Sequence, residues 1–65
     1  MDNMRIARRL KNLRGEKTQQ TVADAIGLNQ STYAMYESAQ RVPSDENKRK
    51  IAAYYNKTVQ EIFFD

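Results

Sequence analysis

The sequence predicts an all-α fold of five short helices, and three observations carry that prediction. Apolar residues recur at helical spacing, while the strict alternation of a half-buried strand is nowhere sustained. Breakers are few, two glycines and one proline in 65 residues, and they fall between the periodic segments. There is no cysteine to staple a small core, and a chain of this size buries only about 60% of the surface it exposes when unfolded. A compact helical core over residues 1–65, read as one domain, is the simplest way to stabilise it.

The first helix is expected from about Met4 to Leu13, with Ile6, Leu10 and Leu13 at i, i+4 and i+7 and Ala7 beside them. Asn3 is its expected N-cap, and Gly15 ends it. The second helix starts after Thr18, whose hydroxyl caps it. Its inner face is Val22, Ala23 and Ile26, and Gly27 stops it at a position suited to positive φ. The third starts after Asn29, another N-cap type, and runs to about Glu37 with Tyr33 and Tyr36 inward. Ser38 to Ser44 is a loop closed by Pro43. A fourth helix is expected from Asp45 to Tyr55, capped by Ser44, with Asp45 and Glu46 where the helix dipole favours acids and Ile51, Ala52 and Tyr55 inward. Thr58 and Glu61 have the spacing of a capping box for a last short helix, in which Val59, Ile62 and Phe63 close the core.

Charge and composition narrow the function classes. Eleven Lys and Arg against eight Asp and Glu give a net charge of +3, and six of the eleven basic residues fall within the first 17 positions. Such a balance suits nucleic acid, and it also suits plain solubility. Without Cys or His the usual zinc ligand sets are missing, so no metal and no cofactor are expected. The acids form no spaced catalytic pair, and five short helices leave little room for a cleft, so an enzyme is not expected. No apolar run approaches the roughly 20 residues of a membrane span, and Met1 to Leu10 lacks a signal-peptide core. A cytoplasmic protein is the expectation.

The segment from Gln19 to Tyr36 carries the functional signal. Only Gly27, Leu28 and Asn29 separate the second and third helices, and a turn that short, opening with Gly, is the mark of a helix-turn-helix. Ala23 is small where the third helix crosses. Gln19 stands at the start of the second helix, where unpaired backbone N–H groups can meet a phosphate. The third helix is then placed to enter a major groove of double-stranded DNA. The same residues would also serve as the core of any small helical bundle.

The run LRGEKTQQTVADAIGLNQSTYAMYESAQRVP, Leu13 to Pro43, followed by IAAYYNKTVQEIFF, resembles the phage Cro and repressor type of helix-turn-helix regulator, also called the XRE family. Thr18, Gln19, Val22, Ala23, Ile26, Gly27, Leu28, Ser31, Tyr33, Tyr36, Glu37, Arg41 and Pro43 fit the family pattern, as do Val59, Ile62 and Phe63. There are departures. The link before Thr18 is about two residues shorter than the common form, and Asn29 replaces the usual Ser or Thr cap. Ala39 and Asn56 stand where Gly is usual, and Asn47 and Arg49 where apolar residues are common. The resemblance implies a repressor-like DNA-binding domain acting as a transcriptional regulator, most simply a repressor. The alternative is a protein-interaction module, such as an antitoxin or controller component, with DNA binding secondary.

Carried over position by position, the resemblance implies base reading by Gln30, Ser31, Ala34 and Met35. Helical geometry agrees in direction, because Ser31, Ala34 and Met35 lie opposite inward Tyr33 and Tyr36. Phosphate contacts are expected from Gln19, Asn29, Thr32, Arg41 and Lys17, the last equally readable as a solvated charge. The stretch from Gly27 to Gln40 has no Lys or Arg, so the third helix cannot make the commonest contact to guanine. Gln with adenine, and Ala or Met on a thymine methyl, then predict A·T-leaning half-sites. The resemblance also implies a structural ion pair between Arg14 and Glu37. One helix reads few base pairs, so a homodimer on a two-fold symmetric operator is expected. Tyr54, Val59, Phe63 and Phe64 are its candidate interface, with completion of the core as their other reading.

Overall fold

The computed structural model describes residues 3–64. Met1, Asp2 and Asp65 lie outside the described residues, as do the parts of the domain extent and of the N-terminal reading that rest on them. The elements are α1 (Asn3–Arg14), α2 (Gln19–Ile26), α3 (Gln30–Glu37), α4 (Asp45–Tyr54) and α5 (Val59–Phe63), with no strand among the described residues. No helix among them is long and apolar enough to cross a membrane.

Local sequence explains most of the boundaries. Thr18 accepts the Thr21 N–H at 3.0 Å, Ser44 accepts the Asn47 N–H at 3.2 Å, and the Thr58–Glu61 capping box closes in both directions at 3.0 and 2.8 Å. Two expectations are corrected. Asn3 is the first residue of α1 and not its cap. Asn29 holds the extended N-cap conformation of α3, but its side chain makes no capping bond.

Three helix ends share one geometry. At the end of α2, Gly27 is left-handed (φ 76°) and the Leu28 N–H reaches back to the Ala23 carbonyl at 2.9 Å. At the end of α4, Asn56 takes φ 57° and the Lys57 N–H meets the Ala52 carbonyl at 2.9 Å. After α3, Ala39 takes φ 65° and the Gln40 N–H meets the Met35 carbonyl at 3.0 Å. Glycine and asparagine adopt this conformation readily. Alanine does not, so the loop after α3 keeps the backbone of a glycine without having one.

α1 packs on α3 and α5, α2 on α3 and α4, and α4 on α5. The core is built from Ile6, Leu10, Val22, Ala23, Ile26, Tyr33, Tyr36, Ile51, Ala52, Ile62 and Phe63, with Leu13, Leu28, Tyr54, Tyr55 and Val59 partly buried against it. The inward face of α3 is thus two tyrosines, whose hydroxyls need partners once buried. The Tyr33 hydroxyl lies 2.7 Å from that of Tyr55. Asn47 donates its side-chain amide to the Tyr36 hydroxyl at 3.0 Å, which accounts for a polar residue on that face of α4. Every buried side-chain polar atom among the described residues has a partner.

Candidate nucleic-acid interface

The residues that could meet DNA are set by a chain of polar contacts from α1 to the start of α3. Glu37, at the end of α3, is buried to 1% exposure. Arg14, the last residue of α1, forks onto it, Nε to Oε2 at 2.8 Å and Nη2 to Oε1 at 3.0 Å. The same guanidinium donates through Nη1 to the Lys17 carbonyl at 2.7 Å, tying down the link into α2. Glu37 Oε1 also accepts from Gln19 Nε2 at 3.1 Å, and Gln19 Oε1 accepts from Gln30 Nε2 at 2.7 Å.

Electrostatics agree with this geometry. Burial alone would push the Glu37 carboxyl up, but hydrogen bonds from Arg14, Gln19 and Tyr33 outweigh it and hold the group below the usual carboxylate value. The Glu37 contact raises Arg14 in turn. Glu37 therefore stays an anion with acceptors only. That fixes the amide of Gln19, whose NH₂ turns to the carboxylate and whose oxygen turns to Gln30.

The other predicted residues fall in distinct places. Ser31 is exposed, and Gln30, Thr32, Ala34 and Met35 are half-buried. Ala34, Met35 and Gln19 line one shallow depression together with Lys11, Glu37, Ser38 and Gln40. Asn29 and Arg41 are exposed. Lys17 is less available than expected: its ammonium donates to the Tyr54 hydroxyl at 3.1 Å and sits 5.0 Å from the centre of that ring.

The dimer candidates divide. Phe63 is fully buried and completes the core, so it offers no surface to a second copy, which corrects its inclusion. Tyr54 lines a groove with Ala25, Ile26, Lys50 and Ala53, apart from Val59 and Phe64. Those two line a 270 Å³ groove with Asp45, Lys48 and Arg49. Phe64 is 43% exposed, with the Lys48 ammonium 5.0 Å from its ring centre.

Lys11, which the sequence reading did not single out, lines the depression of Gln19, Ala34 and Met35 as well. It falls on the stripe Ala7, Lys11, Arg14 at i, i+4 and i+7 of α1.

Comparison with known proteins returned a helix-turn-helix family model matching residues 6–62. A curated relative is the cryptic phage CTXphi transcriptional repressor RstR of Vibrio cholerae serotype O1 (strain ATCC 39315 / El Tor Inaba N16961). It is 39% identical over 61 residues, covering 91% of this chain and 54% of the relative. The chain thus spans about half the length of that curated relative. No solved structure matched.

Proposed function

From the premise that the chain belongs to the XRE-type helix-turn-helix family, we propose that it binds double-stranded DNA sequence-specifically as a transcriptional repressor, with α3 in the major groove. The observation that carries this reading is the Arg14–Glu37–Gln19–Gln30 chain of contacts. Gln19 holds one N–H of the Gln30 amide. The second N–H and the oxygen remain, which is the pair that meets adenine N7 and N6 bidentately. Ser31, Ala34 and Met35 complete the reading surface. Neither Ala nor Met offers a donor to guanine, so the half-site core leans towards A·T.

Phosphate contacts come from the backbone N–H groups at the start of α2 beside Gln19, and from Asn29, Thr32 and Arg41. The Asn29 side chain is not used in capping, which suits it to that role. Lys17 contributes with the donors that Tyr54 leaves over.

A homodimer presents two such helices to a two-fold operator. The groove of Val59 and Phe64 suits a second copy of the chain because acid and base stand side by side there, Asp45 next to Lys48 and Arg49. A two-fold contact would pair them reciprocally. Repression fits the named role of the relative, and a cytoplasmic location fits a DNA-binding role.

In vitro selection from a random duplex pool tests the whole reading. The expected product is a pair of A·T-leaning half-sites about one DNA turn apart. A G·C-rich core would overturn the reading by α3, a lone half-site would overturn the dimer, and absence of any enriched sequence would favour a protein-interaction module.

A further inference from the structure

The basic residues of α1 point in different directions. Arg14 is taken up by Glu37. Arg9 turns the other way and donates to the carbonyls of Ile62 and Phe64 at 3.1 and 3.3 Å, closing the end of α5. Lys11 and Arg8 lie on the side of α1 that faces α3. Both are exposed, and among the described residues no hydrogen bond or ion pair engages either side chain. Lys11 lines the depression that holds Gln19, Ala34 and Met35. It also lines the adjoining one with Met4, Ala7, Arg8 and Ser38. The two hollows share Lys11, Ser38 and the Glu37 already neutralised by Arg14, so they form a trough beside α3 whose cationic side chains all come from α1.

α3 itself carries no Lys or Arg, so cations for the backbone beside it must come from elsewhere. We infer that Lys11 and Arg8 form a basic rail that holds the DNA phosphate backbone flanking the C-terminal half of α3. The inference rests on the proposed entry of α3 into the major groove, and it adds a second wall to that site. With α3 in the groove, the trough is where the bordering strand passes. Lys11 and Arg8 are one helical turn apart on the same face, so they meet neighbouring phosphates. They contribute affinity and no sequence preference, because a phosphate is the same at every base pair.

Counterion release gives a readout that a structural role would not move. Each neutralised phosphate steepens the fall of log K with log salt by about 0.9. The full chain is titrated by fluorescence anisotropy, over a range of KCl, against a labelled mixed-sequence duplex and a duplex carrying the selected site. Lys11→Gln and Arg8→Gln are each expected to flatten the slope by about 0.9 per bound chain, and the double variant by about 1.8. The order of preference among duplexes and the melting temperature should stay at parent values, and Lys11→Arg should keep the slope. Lys57→Gln, beside Arg9 in the groove between α1 and α5, should leave the slope unchanged. A parent slope in either Gln variant overturns that residue's part in the rail. An equal flattening in Lys57→Gln overturns the location. A parent protein that binds neither duplex overturns the DNA-binding reading itself, and the rail with it.

Discussion

Gln30 at the start of α3 and Gln19 at the start of α2 meet amide to amide at 2.7 Å, and Gln19 is in turn held by Glu37. The Gln30 amide, the proposed reader of a base edge, is therefore held in one orientation by the protein itself. Gln30→Ala is expected to cost about 1–3 kcal/mol of discrimination at one base pair and to leave the others unchanged. Gln19→Ala should weaken discrimination at that same base pair although Gln30 is retained. Competition binding with single-base operator variants measures both. Equal discrimination in Gln19→Ala and the parent would show that the relay does not orient the reader.

Arg41 lies on the loop after α3 and is exposed. Arg41→Ala is expected to weaken binding to all duplexes by a similar factor and to flatten the salt slope by about one. A change confined to particular base pairs would instead make Arg41 a reader of base edges.

Arg14→Ala strands the buried Glu37 carboxylate, and leaving such a charge unpaired costs about 3–5 kcal/mol. In a domain this small each kcal/mol shifts the melting temperature by about 4–8 °C, so a fall of more than about 12 °C is expected. Glu37→Gln should cost less. The arginine it leaves behind is 22% exposed and keeps some water, and a glutamine oxygen still accepts one bond. An unchanged melting temperature in both variants would mean that the pair does not support the fold.

Stability should fall at both ends of the pH scale. Glu37 titrates below its ordinary value of 4.5 when folded, so its contribution is full above that value and is lost as pH falls through the depressed one. Tyr33 is raised above its ordinary value of 10.0, chiefly by burial and then by its contacts with Tyr55 and Glu37. Its contribution is full below pH 10 and is lost as pH rises beyond it. Thermal melts against pH should show less acid sensitivity in Glu37→Gln and less alkaline sensitivity in Tyr33→Phe. Unaltered profiles would assign the pH dependence to other groups.

The left-handed positions predict substitutions of opposite sign. Ala39 at φ 65° bears the Cβ penalty of that conformation, about 1–2 kcal/mol. Ala39→Gly relieves it, and the greater freedom of glycine in the unfolded chain returns part of the gain. A net stabilisation of about 0.5–1 kcal/mol is expected. Gly27→Ala should destabilise by a similar amount. A Cβ there would meet nothing within 4 Å, so its cost is conformational and involves no clash. Melting temperatures moving in the same direction would overturn the account.

Five helices and the caps Thr18, Ser44, Thr58 and Gly27 were legible in the sequence because each acts within a few residues of itself, whereas Asn3 and Asn29 were of cap type without capping. The Arg14–Glu37 pair was accessible only through family resemblance, since nothing local joins residues 23 positions apart. The Gln19–Gln30 contact was not legible. Each residue was placed near DNA separately, and only the packing of α2 on α3 brings the two amides together. Phe63 carried two readings, core and interface, because periodicity cannot separate a residue that closes a core from one that stays at its rim, and its full burial selects the first. Lys17 was ambiguous for the same kind of reason, its Tyr54 partner being 37 positions away.

The shared role of Gln19 bears on any attempt to recode this domain. A graft that moves the proposed readers Gln30, Ser31, Ala34 and Met35 onto another scaffold carries the letters without their grammar. Unless the recipient also supplies a glutamine at the start of the preceding helix, an acid at the end of the grafted one and an arginine to hold that acid, the transplanted amide is free to rotate. The adenine preference proposed for it would then not travel with it.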